Sequence, residues 1–371
     1  MPVRPTAAQV APAPGTYAKE RDLSALADAL SCWLEPRVGS PVSISGLSHP
    51  IGAGISNETI FFDATWAGES GAHTDSLVLR IHPDKFQIFL EPSFDVQVKV
   101  LRALEAGGRV AVPTVRWFEE DSAVLGRPFF VMDRMKGRVP VSNPNFNATG
   151  WLHDSRPDQQ RHLWESAMEQ LCRIAEVPVE TVPFVDKPHW GRSGLEQQFA
   201  YWERSLQWAC DGQPPAALSH ALERLRGTFP QHEDNSLSWG DARIGNMMFD
   251  DNYNVLGVMD WEGVSLGGAV QDLAWWLFVD DVYSRGSGLA RLEGLGSREE
   301  TIYFWENRLQ RHADFLLWHE AFAALKTSIL STRIEAAARG TSLNIPASAT
   351  SPVSPRLLEL VDADIASRDA R

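Results

Sequence analysis

The segment "SWGDARIGNMMFDDNYNVLGVMDWEG", residues 238 to 263, holds Asp241, Asn246 and Asp260 among short apolar runs. An Asp, an Asn five positions later and a second Asp at the end of a hairpin supply one proton acceptor and two hard oxygen ligands. That set suits phosphoryl transfer, where the protein positions an acceptor hydroxyl and holds magnesium against phosphate oxygens. Magnesium keeps several waters and takes one or two carboxylate or amide oxygens from a protein. Asp241 would then orient or deprotonate the hydroxyl, with Asn246 and Asp260 on the metal. Asp, Asn and Gly are equally at home in ordinary turns, so the reading rests on what the rest of the chain adds.

Three distant stretches add to it. "IGAGISNETIFF", residues 51 to 62, sets Gly52 and Gly54 between β-prone runs, where bare backbone approaches phosphates and donates N–H groups to them. "LVLRI" places Arg80 in an apolar strand, where a cation calls for a partner such as phosphate unless the strand lies at an edge. "FFVMDRMKG" ends a strand in a connector whose backbone groups are free to pair with a nucleotide base. Each is weak alone; their order along the chain is hard to reach by accident.

Elements must hold these residues in place. "DLSALADALSCWLEPRV" has apolar residues at helical spacing after an Asp able to cap it. Residues 42 to 82 give short β-rich runs separated by Gly, Ser and Asn, as in hairpins. Residues 92 to 106 return to helical spacing, and "VPTVRWFEED" and "RPFFVMDRM" predict two more strands. Beyond them the chain turns helical, with long candidates at 157 to 177, 193 to 211, 214 to 228 and 299 to 338, and a last short helix at 355 to 368 after the low-complexity stretch 340 to 355. Inside that helical part, "NMMFD" and "VLGVMDW" flank the turn "DDNYN" as a small hairpin. The expected fold class is α+β, organised as a leader over residues 1–20 without fixed structure, a nucleotide-binding lobe over 21–135 and a helical lobe over 136–371 bearing the catalytic loop and acceptor site.

Composition narrows the classes. The chain has 371 residues, 44% of them hydrophobic and 22% charged, which is ordinary for a globular protein. Its net charge of -14 disfavours nucleic acid or an anionic membrane as partner and tolerates cationic ligands. Cys32, Cys172 and Cys210 are far apart and form no CxxC pair, so neither a disulfide framework nor a zinc site is expected, and a cytoplasmic setting fits. The longest apolar run, "LAWWLFV", is closed by Asp280 and Asp281. The ten His show no paired metal spacing, and the fourteen Trp read as core more readily than as an acceptor pocket.

With "WGDARIGNMMF" and "GVMDWEGVSLGGAVQDLAWW" in view, the chain resembles the aminoglycoside phosphotransferase family over roughly residues 40 to 335. These are small-molecule kinases of the bilobal protein-kinase-like fold, with an antiparallel sheet and one helix in the first lobe and a mostly helical second lobe. The resemblance implies ATP, or GTP in its place, and Mg2+ as cofactors. It puts the phosphate loop on Gly52, Gly54, Ser56 and Asn57, the strand cation on Arg80, the catalytic residue on Asp241 and the metal ligands on Asn246 and Asp260. The adenine connector falls on Asp133 and Met135, whose carbonyl and N–H respectively would pair with the base, and Met132 would line its pocket. Asp272 matches a position that braces the catalytic loop. Two residues depart from the pattern: Trp239 stands where His is usual and must support the loop by packing, and Gln97 stands where a Glu commonly pairs with the strand cation. The branch most resembled includes kinase-like domains fused to acyl-CoA dehydrogenases.

The expected activity is ATP- and magnesium-dependent transfer of a phosphoryl group to a small-molecule hydroxyl. An aminoglycoside, another amino alcohol and a hydroxyacyl thioester all stay open as acceptors, as does the oligomeric state. A nucleotide-binding pseudokinase or interaction module is the rival; Asp241, Asn246 and Asp260 together speak against it, while Trp239 and Gln97 leave it standing. A serine hydrolase would need a GxSxG elbow that the chain lacks.

Overall fold

The structure, a computed structural model, describes residues 21–50, 57–68, 71–83, 87–91, 94–231, 234–338 and 355–369. Gly52, Gly54, Ser56, the leader and the stretch 340–354 lie outside these residues. The described residues fall into two compact units, one of residues 21–83 with 119–131, the other of 87–118, 132–338 and 355–369.

In the first unit, α1 (Leu23–Val38) starts where the Asp22 carboxylate accepts from the N–H groups of Ser24 and Ala25, at 2.9 and 3.2 Å. It ends at Gly39 in the left-handed region. Its buried residues Leu26, Leu30, Trp33 and Leu34 share one face. Strands β1 (Val42–Ser48), β2 (Glu58–Gly68) and β3 (Gly71–Ile81) run antiparallel. With β4 (Val115–Glu119) and β5 (Phe129–Asp133) they make a sheet in the order β1-β2-β3-β5-β4. Register pairs Ile60 with Leu79 and Phe62 with Leu77, all four fully buried, and the Trp33 ring meets Phe129 edge-on at 4.7 Å. One short turn of helix, α3 (Ser122–Leu125), precedes β5.

The second unit holds α2 (Phe94–Gly107), α4 (Pro157–Ala175), α5 (Gly194–Ala209), α6 (Ala216–Gly227), the hairpin β6 (Met247–Phe249) and β7 (Val255–Val258), then α7 (Ala269–Tyr283), α8 (Arg298–Leu309), α9 (Leu316–Ala338) and α10 (Pro355–Asp369). Helix α9 packs on α5, α6, α7 and α10 and forms the spine of the unit. The hairpin turns as expected, the Asp250 carboxylate accepting from the N–H groups of Asn252 and Asn254 at 2.9 and 2.8 Å.

One helical expectation changes. The single helix expected over 299–338 is broken into α8 and α9: Gln310 and Phe315 take positive φ of 52° and 57°, and the Glu306 side chain accepts from the Ala313 N–H at 2.9 Å. No Gly or Pro marks this break, so nothing local announced it. Helix α7 has ten consecutive buried residues, Ala269 to Phe278, and therefore no polar face to set a helical period. Cys32, Cys172 and Cys210 are free thiols. Among the described residues no helix is long and apolar enough to cross a membrane.

Candidate active site

The loop before β6 is fixed by backbone first. Ser238 and Ser265 exchange two backbone hydrogen bonds, of 2.8 and 3.0 Å. Gly240 has φ +95°, and a Cβ there would stand 2.1 Å from the carbonyl oxygen of Gly263. Only glycine lets these two segments cross so closely. From below, the Asp272 carboxylate on α7 accepts from the Ser238 hydroxyl (2.8 Å), the Trp239 N–H (2.6 Å) and the Gly240 N–H (2.9 Å). Burial pushes its pKa up, against these hydrogen bonds and the nearby Lys326 charge. Asp272 thus braces the loop geometrically as the resemblance implies.

Asp241, half-buried at the head of this loop, is held by three side chains. Arg243 Nε donates to both carboxylate oxygens at 3.2 Å, Asn246 Nδ2 to Oδ2 at 2.6 Å, and Trp275 Nε1 to Oδ1 at 2.8 Å. An ionised carboxylate offers about four lone-pair sites, so these donors fix its plane and leave little of it unused. Burial works against the charge of Arg243, but Asp241, Tyr283 and Asp260 outweigh it and hold the guanidinium above its ordinary pKa. Its other arm reaches the Ser142 hydroxyl at 2.9 Å.

The hairpin gathers the remaining residues of this unit. Asn246 leads into β6 and Asp260 follows β7; the Met259 N–H donates to the Asn246 carbonyl at 2.9 Å, joining the two ends. Asn246 turns its Nδ2 to Asp241, to the carbonyl at 3.1 Å as well as the carboxylate. Its Oδ1, the atom a hard cation takes, is thereby turned away from the carboxylate. Asp260 sits at φ 62°, ψ 62°, the left-handed region, which Asp visits more readily than most non-glycine residues. Among the described residues no three His, Cys, Asp or Glu side chains gather as a metal cage. Two protein oxygens with the rest from phosphate and water fit magnesium, and the donor set here matches that demand. Trp239, fully buried, does more than pack: its Nε1 donates to the Met259 carbonyl at 2.8 Å, tying the loop before β6 to the Asp260 turn.

The connector rests on the same hairpin. Arg138 and Phe249 exchange backbone hydrogen bonds of 2.8 and 2.9 Å, and Met135 lies over Gly257 of β7, where a Cβ would meet its sulfur at 2.4 Å. The Asp133 N–H is taken by the Thr114 carbonyl at 2.9 Å and its carboxylate by Arg116 at 2.6 Å. Met132, Asp133 and Met135 are all half-buried, next in sequence to this anchored segment.

Asn57 and Arg80 belong to the first unit. Asn57 is buried just before β2, and Arg80 is half-buried on β3 opposite Thr59. Gln97 is buried on α2, which packs against the Trp261–Gly263 turn that follows Asp260. Arg243 and Lys326 went unread in the sequence, and Trp275 was read as core rather than as a partner of Asp241. Arg243 looks like a solvated loop charge, Trp275 lies in a helix without periodicity, and Lys326 is a lysine in a long helix; only the fold brings them to Asp241.

The profile of the APH phosphotransferase enzyme family matches residues 49–315. Mouse acyl-CoA dehydrogenase family member 10 is 25% identical over 269 residues, covering 71% of this chain and 23% of that protein. Human acyl-CoA dehydrogenase family member 11 is 24% identical over 258 residues, covering 66% and 30%. The chain therefore spans less than a third of the length of these relatives. Among solved structures, a Ralstonia eutropha JMP134 protein provisionally named an aminoglycoside phosphotransferase has TM-score 0.65 at 19% identity, over 91% of this chain and 96% of that one. A thermostable mutant of aminoglycoside phosphotransferase APH(4)-Ia, with ADP and hygromycin B, has TM-score 0.57 at 15% identity, over 91% and 98%. These likenesses carry the α+β, bilobal protein-kinase-like fold, and the profile match over most of the length makes the chain a member of the APH phosphotransferase enzyme family.

Proposed function

We propose that the chain is a magnesium-requiring phosphotransferase that moves the γ-phosphoryl group of ATP, or of GTP in its place, to a hydroxyl of a small molecule. The observation that carries this reading is the Asp241 carboxylate, fixed by Arg243, Asn246 and Trp275, with Asn246 joined through the Met259 N–H to the chain end that bears Asp260. Asp241 orients the acceptor hydroxyl and takes its proton as the new oxygen–phosphorus bond forms and the bond from the γ-phosphorus to the bridging oxygen breaks. Asn246 and Asp260 hold magnesium, which neutralises charge on the phosphate oxygens when bound. Met132, Asp133 and Met135 take the base; Gly52, Gly54, Ser56, Asn57 and Arg80 take the phosphates. ADP, AMP-PNP and GDP in related structures support a nucleotide donor. The site residues match the expected pattern of an active enzyme more closely than that of a pseudokinase.

The test is transfer of label from γ-labelled ATP, with magnesium, to a panel of aminoglycosides, macrolides, amino alcohols and hydroxyacyl thioesters. A labelled phosphomonoester is expected from at least one class. Failure to bind either nucleotide, with no transfer to any acceptor, would overturn the reading.

A further inference from the structure

Among the described residues, Lys326 on α9 is a buried cation close to Asp241. The residue is 2% exposed, and among the described residues its ammonium has neither a hydrogen-bond nor an ion-pair partner. It stands instead among aromatic rings, 4.9 Å from the centre of Trp275, 5.2 Å from Phe322 and 6.0 Å from Trp202. Trp275 is the residue whose indole N–H binds Asp241 Oδ1 at 2.8 Å, so one ring joins the catalytic carboxylate to the ammonium. Asn246 holds the other oxygen, Oδ2.

An ammonium has three donors, and burying it without acceptors is costly unless something else meets them. Ring faces attract the charge but accept none of its hydrogen bonds as an oxygen would. Asp272 and Asp241 are near enough to favour its charged form, yet burial outweighs them and lowers its pKa to about 8, which leaves most of it charged at neutral pH. Asp272 has its oxygens committed to Ser238, Trp239 and Gly240, and Asp241 to Arg243, Asn246 and Trp275. Neither carboxylate lies within hydrogen-bond or ion-pair reach of the ammonium. A cage of this kind in other settings receives a ligand cation; here the chain's own cation fills it.

Resting on the phosphotransferase reading above, we propose that Lys326 is the anion-binding residue of the acceptor site, so that the hydroxyl acceptor is a small molecule bearing a carboxylate or phosphate. The acceptor's anion meets the ammonium while its hydroxyl meets Asp241. A cationic amino sugar or amino alcohol is disfavoured twice, by like charge and by a cage already occupied.

The test uses the full chain with magnesium-ATP and four acceptors on one carbon skeleton: an ω-hydroxy acid, its amide, the matching amino alcohol and the phosphate monoester of the matching diol. The parent is expected to prefer one or both anions over the amide, with the amino alcohol last, and the two anionic arms tell carboxylate from phosphate. Lys326→Met is expected to lower kcat/KM for the anion by about tenfold to a hundredfold, chiefly through KM, as loss of a charge-assisted hydrogen bond does. The amide should change far less, and Lys326→Arg should recover part of the loss. Equal losses for anion and amide, or a parent that prefers the amide or the amino alcohol, would overturn the proposal. Binding of the same compounds, followed by thermal shift without nucleotide, reads the anion site independently of chemistry. Anion stabilisation that vanishes in Lys326→Met supports it even if no compound is phosphorylated, in which case the phosphotransferase reading is what fails; anion binding indifferent to Lys326 refutes it.

Discussion

The indole N–H of Trp275 donates to Oδ1 of Asp241 at 2.8 Å, linking the loop before β6 to a helix whose first ten residues are all buried. Together with Arg243 and Asn246, this bond fixes the rotation of the carboxylate about its own axis. Trp275→Phe keeps a ring in place and removes the donor. The expected result is a fall in kcat of about tenfold, the scale of one hydrogen bond to a charged group, with ATP affinity close to that of the parent. Steady-state kinetics in a variant of unchanged melting temperature checks it; an unaltered kcat would show the bond to be incidental.

Gly240 is predicted to be irreplaceable for steric reasons. Its φ of +95° and the 2.1 Å approach of a Cβ to the Gly263 carbonyl leave no room for a side chain. Gly240→Ala should destabilise the chain by more than about 2 kcal/mol, the upper range for an ordinary substitution, and abolish activity. Gly107, where a Cβ meets nothing within 4 Å, serves as the control, and Gly107→Ala should leave the melting temperature unchanged or raise it. Equal behaviour of the two variants in thermal melts would contradict the crossing described here.

Asp260→Ala should remove magnesium-dependent turnover, because a metal with so few protein ligands loses one of two. Chelation by EDTA should reproduce the effect in the parent, and added magnesium should restore the parent only. Full activity of Asp260→Ala at saturating magnesium-ATP would refute the ligand assignment.

His319 on α9 sets an acid-side limit on stability. Burial drives its pKa down from 6.5 to about 3, Lys326 adds to this, and Asp234 opposes it. The fold keeps the ring neutral, while the unfolded chain protonates it below pH 6.5. Stability is thus full above that value and falls as pH drops through the window towards 3. His319→Leu removes the linkage, so the stability of the parent should fall more steeply than the variant's over this window, by up to about 1.4 kcal/mol per pH unit. Urea unfolding of both proteins across the window measures it; parallel curves would contradict it.

The parts of the site that sequence made legible are those whose chemistry is local. Asp241, Asn246 and Asp260 stand out because Asp and Asn at fixed spacing around a hairpin form a pattern that survives without any knowledge of packing, and the structure sets all three about that hairpin. Capping at Asp22 and the turn at Asp250 were legible for the same reason, since each is satisfied within a few residues. What sequence did not reveal depends on contacts between distant elements. Trp275 acts through a helix apolar on every side, and Lys326 reads as a surface charge until α9 is seen at the centre of its unit. Trp239 was expected only to pack, and its hydrogen bond to Met259 needed the loop and the hairpin end side by side. The break between α8 and α9 is made by the Glu306 side chain rather than by Gly or Pro.

The central claim is that Asp241 acts on the acceptor hydroxyl and not on the nucleotide. Single-turnover phosphoryl transfer from γ-labelled ATP, measured for the parent and Asp241→Asn with an acceptor found in the panel above, addresses it most directly when magnesium-ATP affinity is measured on the same samples. The account predicts transfer slowed by about 10²- to 10⁴-fold with nucleotide affinity close to that of the parent. Unchanged transfer in Asp241→Asn, or loss of nucleotide affinity in step with transfer, would contradict it.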